Sequence, residues 1–395
     1  MWPGDLLDVT ALLGSGWRPA PIRQFVLKIH SRCNLACNYC YVYHHADSSW
    51  RRQPPRMDSR TVERTADRIA EHAHTHAIRN IHVVLHGGEP LLAGAEFVDL
   101  VATTMRRAVG NAVTVSLAVQ TNGVLLDPAM LDTLAKHDIR IGLSLDGPAD
   151  ANDRHRRFAD GRGSHAAVDR ALRLIQDQGY QHLFGGLLCT VDLTADPREV
   201  YAELLRYEPP AIDVLLPHAN WSAPPRHAKA APYADWLIAF FERWYSAPRL
   251  ETTVRLFVEI IKIVLGGSSS TESIGLSPVQ LVVVETDGSL EQVDTLKSTY
   301  QGAAATGRNV FDHAIDEVLT HPGIAARQLG LAALADKCVA CEVRDICGGG
   351  YYPHRYREGS GFRNPSVYCP DLMKLITHIQ DRVEADLEKM RKTTP

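Results

Sequence analysis

The sequence lacks any apolar run long enough to cross a bilayer. Its longest runs, such as Val279–Val284, stop after a few residues, where a spanning helix needs about 20. The opening residues, MWPGDLLDVT, hold no basic patch followed by an apolar stretch, so no secretory signal is read. No block of Lys or Arg occurs. The 42 basic side chains are interspersed with 46 acidic ones for a net charge of −4, which excludes the usual electrostatic footprint of a nucleic-acid binder. No internal repeat is present, and no HExxH zinc-hydrolase motif. These absences imply a cytoplasmic chain with neither a membrane nor a nucleic acid as partner. What remains is an ordinary globular composition, 45% hydrophobic and 22% charged. The 395 residues suffice for one large barrel-like domain and a smaller one.

Cysteine, by contrast, is grouped. Of the eight, Cys33, Cys37 and Cys40 lie together near the N-terminus and Cys338, Cys341, Cys347 and Cys369 near the C-terminus; Cys189 stands alone. In a reducing compartment such clusters read as metal ligands rather than disulfides. Three and four thiols, far apart in the chain, point to two metal centres with different tasks.

Hydrophobic periodicity predicts six strands: Gln24–His30, Ile81–His86, Val113–Gln120, Arg140–Leu145, Leu183–Val191 and Ile212–Leu216. Between them, helical patterns cover Ser59–Thr75, Ala95–Val109, Pro128–His137, His165–Gln178 and Pro197–Tyr207. Alternating β–α units predict a parallel sheet covered by helices, a partial (β/α)6 TIM-like barrel, with its site at the C-terminal strand ends. Beyond it, Tyr233–Ser246 and Val254–Leu265 read as helices and Gly266–Ser270 as a flexible connector. Val279–Glu285 and Leu290–Val293, joined by Asp287-Gly288, read as a hairpin. Leu372–Lys389 reads as a closing amphipathic helix. The expected division is residues 1–22, an N-terminal segment; 23–220, the barrel; 221–277, a helical bridging region; and 278–395, a cysteine-bearing domain.

The first cysteine set, Cys33-x3-Cys37-x2-Cys40, directly follows the first strand. Three thiolates can hold three irons of a cubane cluster and leave the fourth iron open. A zinc knuckle is the alternative, but structural zinc wants four ligands, and none at suitable spacing follows Cys40. The motif is similar to the signature of the radical S-adenosylmethionine (SAM) superfamily. His86-Gly-Gly-Glu-Pro90 resembles that family's GGEP motif, Gln120-Thr-Asn-Gly123 closes the third strand, and Ser144-Leu-Asp-Gly147 the fourth. The resemblance implies a 4Fe–4S cluster with an open iron that binds SAM. It places Gly87, Gly88, Glu89 and Pro90 by the methionine amino group and Gln120 and Asn122 at the strand end. Ser144 and Asp146 would lie by the ribose, Tyr39 and Leu216 by the adenine, and Arg156 by the carboxylate.

The second set, Cys338-x2-Cys341-x5-Cys347 with Cys369, makes a closed four-thiolate site, suited to zinc or to a fully ligated iron–sulfur cluster. Its spacing resembles the SPASM extension of radical SAM peptide maturases, which favours iron–sulfur. Such extensions usually hold two auxiliary clusters. Here Tyr351 stands where a further cysteine is expected, and the hairpin ending near Asp294 has no cysteine. One auxiliary 4Fe–4S cluster is therefore expected, acting in electron relay or structure.

Further stretches, including Phe25–His30, Tyr41–Asp47, Gly185–Thr190, Leu215–Asn220 and Cys347–Tyr351, resemble FxsB-type maturases, many of which close cyclophanes. That resemblance implies a ribosomal precursor peptide as partner and Cβ–H abstraction followed by cross-linking to an aromatic ring. Ether or thioether formation, epimerisation and sulfatase-type formylglycine maturation are the alternatives, the last typical of proteins with two auxiliary clusters, which this sequence lacks. A flavodoxin or ferredoxin-type protein is the expected reductant. With only about 22 residues before the first strand, no N-terminal leader-recognition domain is expected. Cys189, on the fifth strand, and His218, after the sixth, are the candidate catalytic residues.

Overall fold

A computed structural model describes residues 1–177, 179–225 and 230–393. Gln178, the expected last residue of one helix, residues 226–229 of the expected bridging region, and residues 394–395 lie outside the described residues.

Six strands run parallel in chain order: β1 (Gln24–His30), β2 (Asn80–Gly87), β3 (Thr114–Thr121), β4 (Ile139–Ser144), β5 (Phe184–Thr190) and β6 (Ala211–Leu215). The expected strands all form, shifted by at most one residue at each end. Two-residue β7 (Thr253–Val254) extends the β6 edge. At the other edge β8 (Leu281–Val284) pairs parallel with β1, and β9 (Ser289–Glu291) and β10 (Ala305–Asn309) follow antiparallel. The hairpin therefore does not stand apart. It completes one ten-stranded sheet ordered β10-β9-β8-β1-β2-β3-β4-β5-β6-β7.

Period-2 alternation decides which side chains meet the site. On β2, Ile81, Val83 and Leu85 are buried toward the helical layer, while His86 turns to the concave face. On β3 and β4, Gln120, between buried Val119 and Thr121, and Ser144, between buried Leu143 and Leu145, take that same face. Helices cover the convex face. Those at Ser59–Thr75 and Pro128–Lys136 start where sequence chemistry says they should, with Asp58 accepting from Thr61 N at 2.7 Å and Asp127 from Met130 N at 2.8 Å. Each such cap contributes about 1 kcal/mol.

The helices Pro232–Tyr245, Arg255–Val264 and Cys369–Thr393 pack beyond β6. Trp236, Phe240, Phe241 and Phe257 fill their interface, with Phe241 and Phe257 edge-to-face at 5.2 Å. The last helix begins three residues earlier than expected, so Cys369 lies in its first turn. Gly266–Ser270 also differs from the flexible connector expected of it. Glu259 accepts from both the backbone N and the hydroxyl of Ser270 at 2.7 Å and fastens the segment. The N-terminal segment packs far from its neighbours in sequence: buried Trp2 joins Tyr352, Tyr356 and Phe362 in a small core. Among the described residues no helix is long and apolar enough to cross a membrane.

Candidate functional site

The concave face of the sheet holds a cavity of about 480 Å³. Cys33, Cys37 and Cys40 line it from the loop after β1, and Glu89, Gln120, Asn122, Ser144 and Asp146 line it from the ends of β2, β3 and β4. All three cysteines are free. Burial pushes the Cys33 thiol up to about 12 and raises Cys37 and Cys40. Thiolates here need a cation beside them, as iron would be. Hydrogen bonds already point at the sulfur: Leu35 N donates to Cys33 Sγ at 3.4 Å and Asn122 Nδ2 at 3.7 Å. The thiol set and its N–H donors fit an iron–sulfur cluster.

The polar groups opposite are held in fixed poses. Glu89 accepts from Thr121 Oγ1 at 2.6 Å, Asn122 N at 2.8 Å and Leu91 N at 3.0 Å. Burial raises its pKa despite these donors, so an ammonium beside it would meet an oriented, desolvated partner. Gly87 and Gly88 are dictated by space: an added Cβ would sit 2.0 Å from His30 O at the first and 1.9 Å from Tyr43 Oη at the second. Tyr39 donates to Asp146 Oδ2 at 2.5 Å and accepts from Arg156 Nη1 at 3.0 Å. Asp146 also accepts from Thr190 N at 2.9 Å. Burial pulls the Arg156 guanidinium down, but Tyr39, Cys37 and Asp146 more than restore it, so it stays charged. Its Nε is buried without a partner. A buried, charged donor left unpaired costs free energy until an acceptor arrives. A carboxylate, as SAM carries, fits that need.

Most expected cofactor residues meet here: Tyr39, Gly87, Gly88, Glu89, Gln120, Asn122, Ser144, Asp146, Arg156 and Leu216 all line the one cavity. Pro90 does not; it starts a short 3-10 turn behind Glu89. The two catalytic candidates separate. His218 lines the cavity, with Nδ1 buried and unpartnered, and burial and neighbouring His45 lower its pKa to about 4. Cys189 is a correction. It is 1% exposed and packs in the apolar core, while its neighbours Leu188 and Thr190 face the cavity. Strand alternation turns the thiol away from the site.

Sequence reading missed a charged group on the wall between β1 and the hairpin. Lys28, in mid-strand, pairs with Glu285 Oε1 at 3.1 Å and Asp294 Oδ2 at 3.3 Å. Lys297 pairs with Glu285 and, at 2.9 Å, with Glu291. Tyr41 donates to Asp294 Oδ2 at 2.8 Å. Burial pushes the Asp294 carboxyl up, but Lys28, His86 and the Tyr41 hydroxyl outweigh it and leave it well below the usual range. The one available signal was a lysine inside an otherwise apolar strand. Beside this group stands a ring wall: His218 lies 4.9 Å from Tyr41, 6.3 Å from Tyr351 and 6.1 Å from His354.

The second cysteine set lines its own cavity, of about 340 Å³. Cys338, Cys341, Cys347 and Cys369 all border it, and all are free. Burial raises Cys347 to about 12. Buried Arg355 donates to the carbonyls of Gly348 and Gly350, which fixes the turn after Cys347. Gly348 admits no side chain there, since an added Cβ would lie 1.7 Å from Gly275 O.

Three thiols facing an oriented carboxylate and a guanidinium with one nitrogen unpaired, across the mouth of a parallel half-barrel, agree with the comparisons. Residues 27–205 match the model of the radical SAM superfamily. The chain carries a radical SAM domain over that stretch. It is 25% identical over 362 residues to a cysteine-type anaerobic sulfatase-maturating enzyme of Clostridium perfringens, covering 88% of this chain and 94% of the relative. It is also 25% identical over 357 residues to a serine-type enzyme of the same description from Klebsiella pneumoniae, covering 87% and 84%. Among solved structures, anSMEcpe with bound AdoMet superposes with a TM-score of 0.78 at 23% identity, over 93% of this chain and 98% of that one. Streptococcus suis SuiB bound to the precursor peptide SuiA gives 0.60 at 14% identity, over 91% and 78%. These two likenesses show the fold, and the match to the radical SAM model supports SAM and a 4Fe–4S cluster as the cofactors.

Proposed function

We propose that this enzyme matures a ribosomally made precursor peptide, joining the Cβ of one residue to a nearby aromatic ring. One observation carries the reading: a single cavity is lined both by the SAM-site groups and by the rings of Tyr41, His218, Tyr351 and His354. Those rings offer an aromatic side chain a largely apolar surface. When bound, SAM and the first cluster supply a carbon-centred radical able to take hydrogen from an unactivated C–H bond.

The chain's own residues have definable tasks. Glu89 orients the methionine ammonium, and Arg156 takes the carboxylate. Tyr39 and Asp146 hold Arg156 in place. Forming one carbon–carbon bond removes two hydrogens from the peptide: one as an atom at Cβ, the other as an electron and a proton from the ring. Asp294 and His218 are the proton acceptors beside those rings. Asp294 stays ionised beside Lys28, and His218 stays neutral, so each has an accepting lone pair at neutral pH. The four-cysteine pocket fits one fully ligated auxiliary 4Fe–4S cluster in a SPASM-like domain over 278–395. Tyr351 and His354 of the main cavity lie a few residues beyond Cys347, which gives the electron a short exit. A flavodoxin or ferredoxin-type protein is the proposed reductant.

Co-expression with the adjacent precursor peptide tests the proposal. The product is expected to lose two hydrogens per cross-link, to resist fragmentation between the joined residues and to show no carbonyl reactivity with hydroxylamine. Two hydrogens lost from a serine with hydroxylamine capture would overturn it in favour of formylglycine formation. That second reading is favoured by the near full-length similarity to sulfatase-maturating enzymes. An isobaric product carrying deuterium from heavy water would instead indicate epimerisation.

A further inference from the structure

The flank of the barrel carries a cluster that the radical chemistry does not use. His72 and His76 lie one turn apart at the end of the helix Ser59–Thr75 and its C-cap. Asp316 reaches them from the 3-10 helix Ile315–Thr320, some 240 residues later. His72 Nδ1, His76 Nε2 and an Asp316 carboxylate oxygen all lie within 4.8 Å of one another. None of the three lines the main cavity or the four-cysteine pocket.

Hydrogen bonding fixes the tautomer at the centre of this group. His72 Nε2 lies 3.1 Å from the carbonyl oxygen of Ile22, which can only accept, so Nε2 carries the proton. In a neutral ring Nδ1 is then a lone pair, and it faces Asp316 Oδ1, also a lone pair. His76 Nε2 points at the same oxygen from 3.0 Å. Two acceptors in close contact need a cation between them, either a proton or a metal. Imidazole whose other N–H is donated to a backbone carbonyl is the usual arrangement of a histidine on zinc. Two imidazoles and one carboxylate suit Zn²⁺ or Co²⁺ and are too nitrogen-rich for Ca²⁺ or Mg²⁺.

We propose that His72, His76 and Asp316 form a three-ligand Zn²⁺ site, its fourth position left to water, that ties the segment after β10 to the first barrel helix. The same seam is drawn together by Arg64 Nε and Arg68 Nε, which donate to Val310 O at 3.1 and 3.0 Å. Zinc would add a covalent-strength link where the sheet extension meets the barrel.

The test uses the holoenzyme, its iron clusters loaded, equilibrated with stoichiometric Zn²⁺ and then measured for zinc and iron. Wild type is expected to hold one zinc that H76A and D316A lack, with iron content and deoxyadenosine formation unchanged. Either substitution should weaken Zn²⁺ binding by more than the ~10–100-fold that loss of an outer hydrogen-bond partner costs. Zinc should raise the unfolding temperature of wild type and leave that of H76A where it was. Equal zinc in wild type and H76A overturns the site and leaves the cluster as a protonated His–Asp pair. His76 is partly exposed, so H76A gives that answer even if D316A fails to fold.

Discussion

The two cysteine regions differ in what surrounds them. The N-terminal set opens on a cavity of about 480 Å³ walled by carboxylates, amides and a guanidinium from four strand ends. The C-terminal set closes around about 340 Å³ bordered by its own loop and the first turn of the last helix. Three ligands with polar company make a place for chemistry; four ligands from one loop and a helix start make a place to hold charge. The difference teaches that ligand number matters less by itself than what the missing ligand leaves room for.

The sharpest way to break this contrast is to remove a ligand on each side. Cys40→Ala should abolish deoxyadenosine formation outright, measured by chromatography under reducing conditions. Cys347→Ala should still cleave SAM yet give no cross-linked peptide. Each should lower iron from about eight per chain to about four. Twelve irons in wild type would contradict a single auxiliary cluster. Loss of SAM cleavage in Cys347→Ala would show that the closed region serves the open one directly.

Next in size is the buried charge group between them. Lys28→Met takes the ammonium from Asp294 and leaves Glu285 to Lys297 alone, and should cost about 3–5 kcal/mol in denaturant unfolding. Because the Asp294 pKa is depressed on folding, its contribution is complete above the ordinary aspartate value of about 3.9 and is lost as pH falls toward the folded value. The stability of Lys28→Met should therefore fall less steeply on acidification than that of wild type.

Within the open region, Arg156→Gln should weaken SAM binding about 10- to 100-fold, the worth of one or two charge-assisted hydrogen bonds. Equilibrium binding under anaerobic conditions measures it. The smallest effect belongs to Cys189. Cys189→Ala should leave product formation intact and cost about 1 kcal/mol of stability, since the thiol only fills core space. Lost activity with normal stability would return Cys189 to the site.

Much of the open region was legible because its determinants are local. Cysteine spacing, the glycines after β2 and the polar residue at each strand end are written within single β–α units, and parallel pairing stacks them in order. The charge group was not legible. Lys28 meets Asp294 across 266 positions, and nothing near either residue announces the other. The place of Cys189 needed the strand's phase, which a half-apolar run such as Gly185–Thr190 does not fix by itself.

Sequence alone determined two sets of thiols, the parallel order of six strands and the residues at their ends, because short-range spacing encodes each. Tertiary structure alone decided that the hairpin joins the barrel sheet through β1, that Arg156 rests on Tyr39 with one nitrogen unpaired, and that His72, His76 and Asp316 converge. Those contacts bring together residues 117 to 257 positions apart, through packing that no local pattern specifies.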